Sequence, residues 1–301
     1  AQAAGIRIPT LCYLKDVSQT GSCRVCVVEI NGRLQASCVF PVSEGLEVKT
    51  NTPLVRESRR TTVELLLSNH PQDCLTCLRN QNCELQRLAR ELNIREIGYE
   101  GERSHFPIDV SSPSIVRDPN KCILCRRCIS VCSEIQGVHI LAARERGFDT
   151  VVSPAWQEQL ANTACTNCGQ CVLVCPTGAL SEKDSTREVW KALADPEKFV
   201  VVQVAPAIRA TIGEEFGLEP GEVAMGQMVA ALKKMGFEKV FDTSFTADLT
   251  VLEETHEFLE RLQKGERLPQ FISCCPGWVK YAEQYHPELL DQLSSCRSPQ
   301  Q

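Results

Sequence analysis

The residues able to do chemistry here are cysteines, and they fall into four blocks. Cys12, Cys23, Cys26 and Cys38 lie near the N-terminus. Cys74, Cys77 and Cys83 follow, with His70 four residues ahead of Cys74. Eight more form two runs, Cys122, Cys125, Cys128 and Cys132, then Cys165, Cys168, Cys171 and Cys175. After a long cysteine-free stretch come Cys274, Cys275 and Cys296. Thiolates are soft ligands suited to zinc, copper(I) and iron–sulfur clusters. Cysteines two residues apart in a tight loop rarely pair with each other, so metal binding takes precedence over a disulfide framework.

The third block is an internal duplication of C-x2-C-x2-C-x3-C. Three cysteines at this spacing wrap three corners of a cubane, and the fourth points to the other cluster. Cys122, Cys125, Cys128 and Cys175 are therefore expected to hold one [4Fe–4S] cluster. Cys132, Cys165, Cys168 and Cys171 are expected to hold a second. Zinc sites compete poorly, because they use two CxxC pairs per ion without a crossed ligand. The copies differ after the last cysteine, with Ser133 in one and Pro176 in the other.

Cys12, Cys23, Cys26 and Cys38 sit in a β-rich segment, which suits a [2Fe–2S] rhomb. Gly21 and Ser22 let backbone N–H groups approach the central sulfurs. The spacing departs from the plant-type pattern. It resembles the first domain of the complex I large subunit and of multi-cluster hydrogenases. His70, Cys74, Cys77 and Cys83 form a site with one imidazole and three thiolates, and their spacing resembles the same two families. A neutral histidine removes one negative charge and is expected to raise that cluster's potential. His105, His139, His256 and His286 have no such company and read as surface or packing residues.

The elements that must position these groups follow from periodicity. Residues 24–30 read as a strand, Asn31-Gly32 as a hairpin turn, 34–40 as its partner and 47–50 as a short third strand. Residues 54–68 read as a helix broken at Asn69-His70-Pro71. Leu85, Leu88, Ala89 and Leu92 mark a second amphipathic helix. Residues 98–118 read as a loop. From residue 199 the pattern changes: a buried-type strand over 199–204, a helix over 223–235, a strand at 239–241, a helix over 248–263 and a third strand at 270–272. This alternation predicts a parallel α/β sheet, with Cys274 and Cys275 just past the end of its third strand, where open sheets bind ligands.

Composition narrows the class. Eighteen cysteines in 301 residues, about 6%, fall short of a disulfide scaffold. So much free thiol points to a reducing, cytoplasmic setting. A net charge of −6 argues against a nucleic-acid partner. No apolar run is long enough to cross a membrane, and no signal peptide is visible. A start without Met, inside a periodic pattern, suggests that residues precede it. No Gly-rich dinucleotide fingerprint follows a strand, so any NAD(P) site is expected on another subunit.

Phe271-Ile272-Ser273-Cys274-Cys275-Pro276-Gly277-Trp278 resembles the first signature of [FeFe]-hydrogenases. Ala205-Pro206-Ala207-Ile208-Arg209, the run Phe241 to Thr250, Ser298-Pro299-Gln300-Gln301 and the order of the cysteine blocks resemble the same family, nearest to the NAD(P)-linked, electron-bifurcating type. The resemblance implies that Cys275 is the first thiolate of the active-site cubane that carries the diiron centre. It implies that Cys274 is the terminal proton relay, with Ser294, Glu254 and Glu257 along the proton path. On spacing alone, the two glutamates read as a solvated acidic face. Ile272 replaces the usual Thr, and Cys296 is expected to pack as a small apolar residue.

The implied architecture is multidomain α+β. It comprises a β-grasp [2Fe–2S] domain over 1–50, a small helical domain with one His and three Cys ligands over 51–105, a 2×[4Fe–4S] ferredoxin domain over 106–190, and the first part of a hydrogenase domain over 191–301. The implied reaction is reversible H2 oxidation and proton reduction. The implied partners are an NAD(P)H-oxidising flavoprotein subunit, a small [2Fe–2S] subunit and ferredoxin. Because the later family signatures are missing, the sequence is expected to be part of a longer subunit, which alone would hold the H-cluster. The competing function is a non-catalytic wiring subunit of a complex I-like or formate dehydrogenase complex.

Overall fold

A computed structural model describes residues 1–301, apart from the side chain of Gln2. The chain is mixed α/β and divides into two compact units, Ala1–Lys183 and Asp184–Gln301.

The first unit opens with the strands β1 (Val27–Ile30), β2 (Arg33–Ala36) and β3 (Val48–Lys49), ordered β2-β1-β3 and antiparallel throughout. Asn31 and Gly32 both take positive φ, 49° and 73°, the two-residue turn that matches strand twist. The return strand stops at Ala36, earlier than expected, because Ser37 turns back and its Oγ donates to Cys26 O at 2.9 Å.

Helix α1 (Pro53–Ser68) starts as its residues dictate: Thr52 caps Val55 N–H and Pro53 takes the first turn. Helix α2 (Glu84–Glu91) buries Leu85 and Leu88. These leucines, Val63, Leu11 and Val25 share one core with Cys12, Cys23, Ile123 and Cys125, and Cys83 packs against it.

The duplicated segment begins with β4 (Ile115–Arg117), inside the expected loop, followed by α3 (Arg127–Ser130). Next come the hairpin β5 (Ala142–Arg144) and β6 (Val151–Ser153), then α4 (Gln170–Leu173) and β7 (Leu180–Glu182). β4 pairs antiparallel with β7 and ties the two copies together. Ile115, Leu141, Val152, Leu160, Val172 and Leu180 form the core between them.

The copies match in backbone as well as spacing. Leu124 and Arg126 in one, and Asn167 and Gly169 in the other, take φ between 53° and 76°. Left-handed backbone at non-glycine residues costs about 1 kcal/mol each. It recurs where each loop must curl around its cysteines. Pro176 ends the second copy's helix, whereas Ser133 lets the first run on as a π-turn over Val131–Ile135, its Oγ donating to Ile129 O at 3.0 Å.

The second unit contains α5 (Thr186–Leu193), β8 (Val201–Val204), α6 (Ile208–Thr211), α7 (Met225–Lys234), β9 (Lys239–Asp242), α8 (Thr243–Lys264) and α9 (Pro276–Tyr285). β8 and β9 pair in parallel, as the alternation predicts. The third strand does not form. Phe271 instead makes a single parallel bridge to Leu293. Pro269 has no N–H to extend a ladder, and Ser273 turns its hydroxyl to Cys296 O at 2.7 Å. The run at 199–204 is also not a buried strand: Phe199 and Val201 are exposed, since β8 has a single neighbour. No helix among the described residues is long and apolar enough to cross a membrane.

Candidate iron–sulfur and proton-transfer site

The expected ligand sets can be followed thiol by thiol. One pocket is lined by Cys122, Cys125, Cys128 and Cys175, with Ile123, Leu141, Val152 and Leu180 among its walls. A second is lined by Cys132, Cys165, Cys168 and Cys171, with Ile115, Leu160 and Leu180. Each therefore joins three thiols of one copy to the last thiol of the other. Burial pushes the Cys122 thiol up to about 11 and Cys125 to about 12, and the neighbouring thiols add to this. Cys128 rises well above its ordinary value for the same reasons, and Cys171 reaches about 12. A dry pocket of crowded thiols disfavours thiolates until a positive metal core enters it.

Cys12, Cys23 and Cys26 are buried, and Cys38 is half-buried beside an apolar groove that includes Phe40, Leu46 and Val48. Their sulfurs interact. The Cys23 thiol donates to Cys12 and holds Cys12 low, at about 4. Burial first, then Cys26 and Cys12, push Cys38 up to about 12.

His70 ends the turn after α1 and is 9% exposed. Its Nδ1 lies 2.8 Å from Pro71 O, and a carbonyl only accepts, so Nδ1 carries the proton. Its Nε2 is then a lone-pair donor, buried and without a partner. Burial holds the ring below its ordinary value, hence neutral at pH 7. Cys74 and Cys77 lie close enough to Cys83 to raise its thiol, although burial raises it more. A Cβ added at Gly178 would meet Cys77 Sγ at 3.0 Å, so a larger residue there would press on that sulfur. No group of three or more His, Cys, Asp or Glu among the described residues closes on a point as single-ion ligands do.

The three cysteine-rich blocks of the first unit meet at Arg127, which the sequence reading missed. Its side chain is 7% exposed; Nη1 donates to Glu84 Oε1 at 2.6 Å and Nη2 to Tyr13 O at 3.2 Å. Those partners adjoin Cys83 and Cys12 in sequence. One of two arginines between a pair of cysteines carries no local signal of such reach.

In the second unit, α8 presents Glu254 and Glu257. Glu257 Oε2 accepts from Ser294 Oγ at 2.7 Å, and Oε1 accepts from Arg261 Nη2 at 2.6 Å. Ser294 Oγ accepts in turn from Cys296 N at 3.1 Å. Glu254 Oε1 is buried without a partner. Cys274 is half-buried, next to Ser273, whose bond to Cys296 O sets segment 273–274 beside 294–296. Cys275 is exposed and stands at the N-cap position of α9. Arg261 was missed too; its spacing of four residues from Glu257 was the available sign. Cys296 does not pack as an apolar residue. It lines a polar groove with Glu253, Glu257 and Arg267, and burial and the nearby carboxylates raise its thiol.

Burial raises the Glu257 carboxyl, but Ser294, Arg261 and the Ser295 N–H outweigh it, so the folded value lies below the unfolded one. Its contribution to stability is thus fully present above the ordinary carboxylate range and lost as pH falls through the folded value. Acid titration followed by amide exchange over 292–296 should show protection falling on that limb. Protection unchanged down to the global acid transition would contradict the pairing.

Four known families match along the chain. Residues 1–53 match the 2Fe-2S iron-sulfur cluster binding domain. Residues 59–97 match the NADH-ubiquinone oxidoreductase-G iron-sulfur binding region, and 112–181 the ferredoxin-like domain of NADH-quinone oxidoreductase subunit 3. Residues 198–301 match the iron only hydrogenase large subunit, C-terminal domain. The NADP-reducing hydrogenase subunit HndD of Solidesulfovibrio fructosivorans is 51% identical over 315 residues, covering 100% of this chain and 54% of the relative. Over this stretch the chain is similar to the iron-only hydrogenases.

Iron hydrogenase 1 of Clostridium pasteurianum is 36% identical over 305 residues, covering 100% of this chain and 53% of its own length. The chain thus spans about half the length of the curated hydrogenases it matches. A solved NAD+-reducing [NiFe]-hydrogenase in the H2-reduced state aligns at TM-score 0.58 and 35% identity, over 62% of this chain and 79% of that one. The hydrogenase match falls in the second unit, and the cluster-binding matches fall in the first.

Proposed function

We propose that this chain relays electrons through four iron–sulfur clusters and, in the complete subunit, serves reversible H2 oxidation and proton reduction. The observation that carries the reading is the pair of pockets in which each last thiol crosses to the other copy. Cys122, Cys125, Cys128 and Cys175 hold one [4Fe–4S] cluster, and Cys132, Cys165, Cys168 and Cys171 hold another. His70 Nε2 with Cys74, Cys77 and Cys83 holds a third. Cys12, Cys23, Cys26 and Cys38 hold a [2Fe–2S] cluster. Cys275 supplies one thiolate to the active-site cubane of the H-cluster. We assign 1–50 to a β-grasp domain, 51–105 to the His-ligated domain, 106–190 to the ferredoxin domain and 191–301 to the hydrogenase domain.

When bound, the clusters supply one-electron steps and the diiron centre supplies the bond chemistry of H2. The protein's share is position, dryness and protons. The apolar walls shelter Cys125, Cys128 and Cys175, which are buried. The Cys274 thiol would hold and re-donate one proton for the diiron centre, Glu254 would serve the same proton path, and Ser294 Oγ would hand protons to or from Glu257. Electrons are exchanged with an NAD(P)H-oxidising flavoprotein subunit, a small [2Fe–2S] subunit and ferredoxin, in the cytoplasm.

Dithionite reduction of the anaerobically prepared chain, followed by electron paramagnetic resonance, tests the relay. A slow-relaxing two-iron signal beside fast-relaxing four-iron signals is the expected result. A silent spectrum from iron-loaded protein would overturn it. His70→Cys should keep its cluster and lower the potential, because a thiolate adds negative charge. An unchanged potential in redox titration would count against ligation by His70.

A second reading, a wiring subunit like the large subunit of complex I, is favoured by the matches at 59–97 and 112–181. The hydrogenase match and the Glu257–Ser294 contact weigh against it. H2-dependent dye reduction by the complete subunit separates the two.

A further inference from the structure

Helix α1 buries three residues along one stripe, Val55, Arg59 and Val63. The two valines have no exposed surface, and between them Arg59 is 7% exposed. Arg59 Nη2 donates to Val27 O at 2.7 Å, and its Nε is buried without a partner. Thr52 Oγ1 donates to Glu29 Oε2 at 2.7 Å, which fixes the start of α1 against β1 and engages the nearby carboxylate. None of the ion pairs among the described residues includes Arg59.

A long side chain commonly buries its stem and leaves its charge in water, but here the charged head is inside. A cation taken out of water without a counter-charge is costly. The acidic group that acts on it is Cys26, one of the assigned cluster ligands. Arg59 is held on the carbonyl that follows Cys26, and Ser37 folds Cys26 O back from the other side. Burial lowers the basicity of Arg59, and Cys26 opposes that shift.

We propose that Arg59 is the buried counter-charge of the two-iron cluster at Cys12, Cys23, Cys26 and Cys38, and that it holds the reduction potential of that cluster up. This rests on the cluster assignment above. Reduction by a one-electron donor adds one negative charge to the site, with no bond broken and no proton moved. A fixed cation in a low-dielectric setting stabilises the reduced form more than the oxidised one.

The test compares Arg59→Lys, which keeps the charge, with Arg59→Gln, which keeps a donor for Val27 O and loses the charge. The full chain is titrated with dithionite, and the two-iron signal is followed by electron paramagnetic resonance beside iron content and circular dichroism. The expected result is a lower midpoint potential in Arg59→Gln and a near-native one in Arg59→Lys. If Arg59→Gln loads no two-iron cluster while Arg59→Lys does, the requirement for charge stands. A native potential in a fully loaded Arg59→Gln would overturn the proposal, and so would loss of the cluster in both variants. Absence of any two-iron signal from the unaltered chain would instead defeat the cluster assignment itself.

Discussion

Replacing Cys175 by alanine should empty the pocket built mainly from Cys122, Cys125 and Cys128 and leave loaded the pocket that contains its own neighbours Cys165, Cys168 and Cys171. The expected loss is about four irons per chain. The cause is the crossing of the last thiol between copies, seen in the linings of the two pockets. Cys175 is buried at the end of α4, where Pro176 turns the chain back, and Pro176 O accepts from Glu84 N at 2.9 Å. The thiol is thus fixed by backbone contacts and has no freedom to serve the other set. Cys132→Ala should have the mirror effect. Iron and acid-labile sulfide analysis with Mössbauer spectra of both variants distinguishes the outcomes. Loss of the cluster at Cys165, Cys168 and Cys171 in the Cys175 variant would mean that each copy binds its own cluster.

Glu257→Ala should lower the local stability of the segment around Ser294 by about 3 kcal/mol, since it strands the buried Arg261 charge. Arg261 is 4% exposed. Besides Glu257 it donates to Arg267 O, Gln292 O and Leu293 O, at 2.7 to 3.2 Å. One guanidinium therefore fastens α8 to the strand-like segment that carries Ser294. Carbonyl oxygens accept from its Nη1 and Nη2 but do not cancel its charge. Glu257→Gln keeps an acceptor for Ser294 Oγ and should cost less. Hydrogen exchange over 292–296 reads the difference. Protection within about 0.5 kcal/mol of the native value in the alanine variant would show that the carboxylate is not what holds the segment.

Which of this was legible in the sequence depended on the distance over which the cause acts. The crossing of the last thiol into the other copy's pocket was legible because C-x2-C-x2-C-x3-C imposes its geometry within one loop and one turn. Helices α1 and α2 were legible from the break at Asn69-His70-Pro71 and from the leucine period, whereas the cap at Thr52 and Pro53 emerged only in the structure. His70 was legible from its place after a helix end and before a CxxC, although its free Nε2 emerged only with the Pro71 contact. What escaped was set across long sequence separations. Arg127 joins Tyr13 and Glu84, and no local pattern announces either partner. The strand expected at 270–272 has the right residue types, but its partner is the 292–294 segment, so hydropathy alone misplaced it in the sheet. Cys296 looked like a small apolar residue because its acidic neighbours arrive from α8. The glutamates of α8 are indistinguishable from a solvated face until Ser294 is seen on one of them.

The most direct measurement is iron, acid-labile sulfide and zinc per chain, on protein purified without oxygen. One two-iron and three four-iron clusters predict about 14 irons with sulfide in matching number. About four zincs with little iron and no labile sulfide would contradict the iron–sulfur relay at its root.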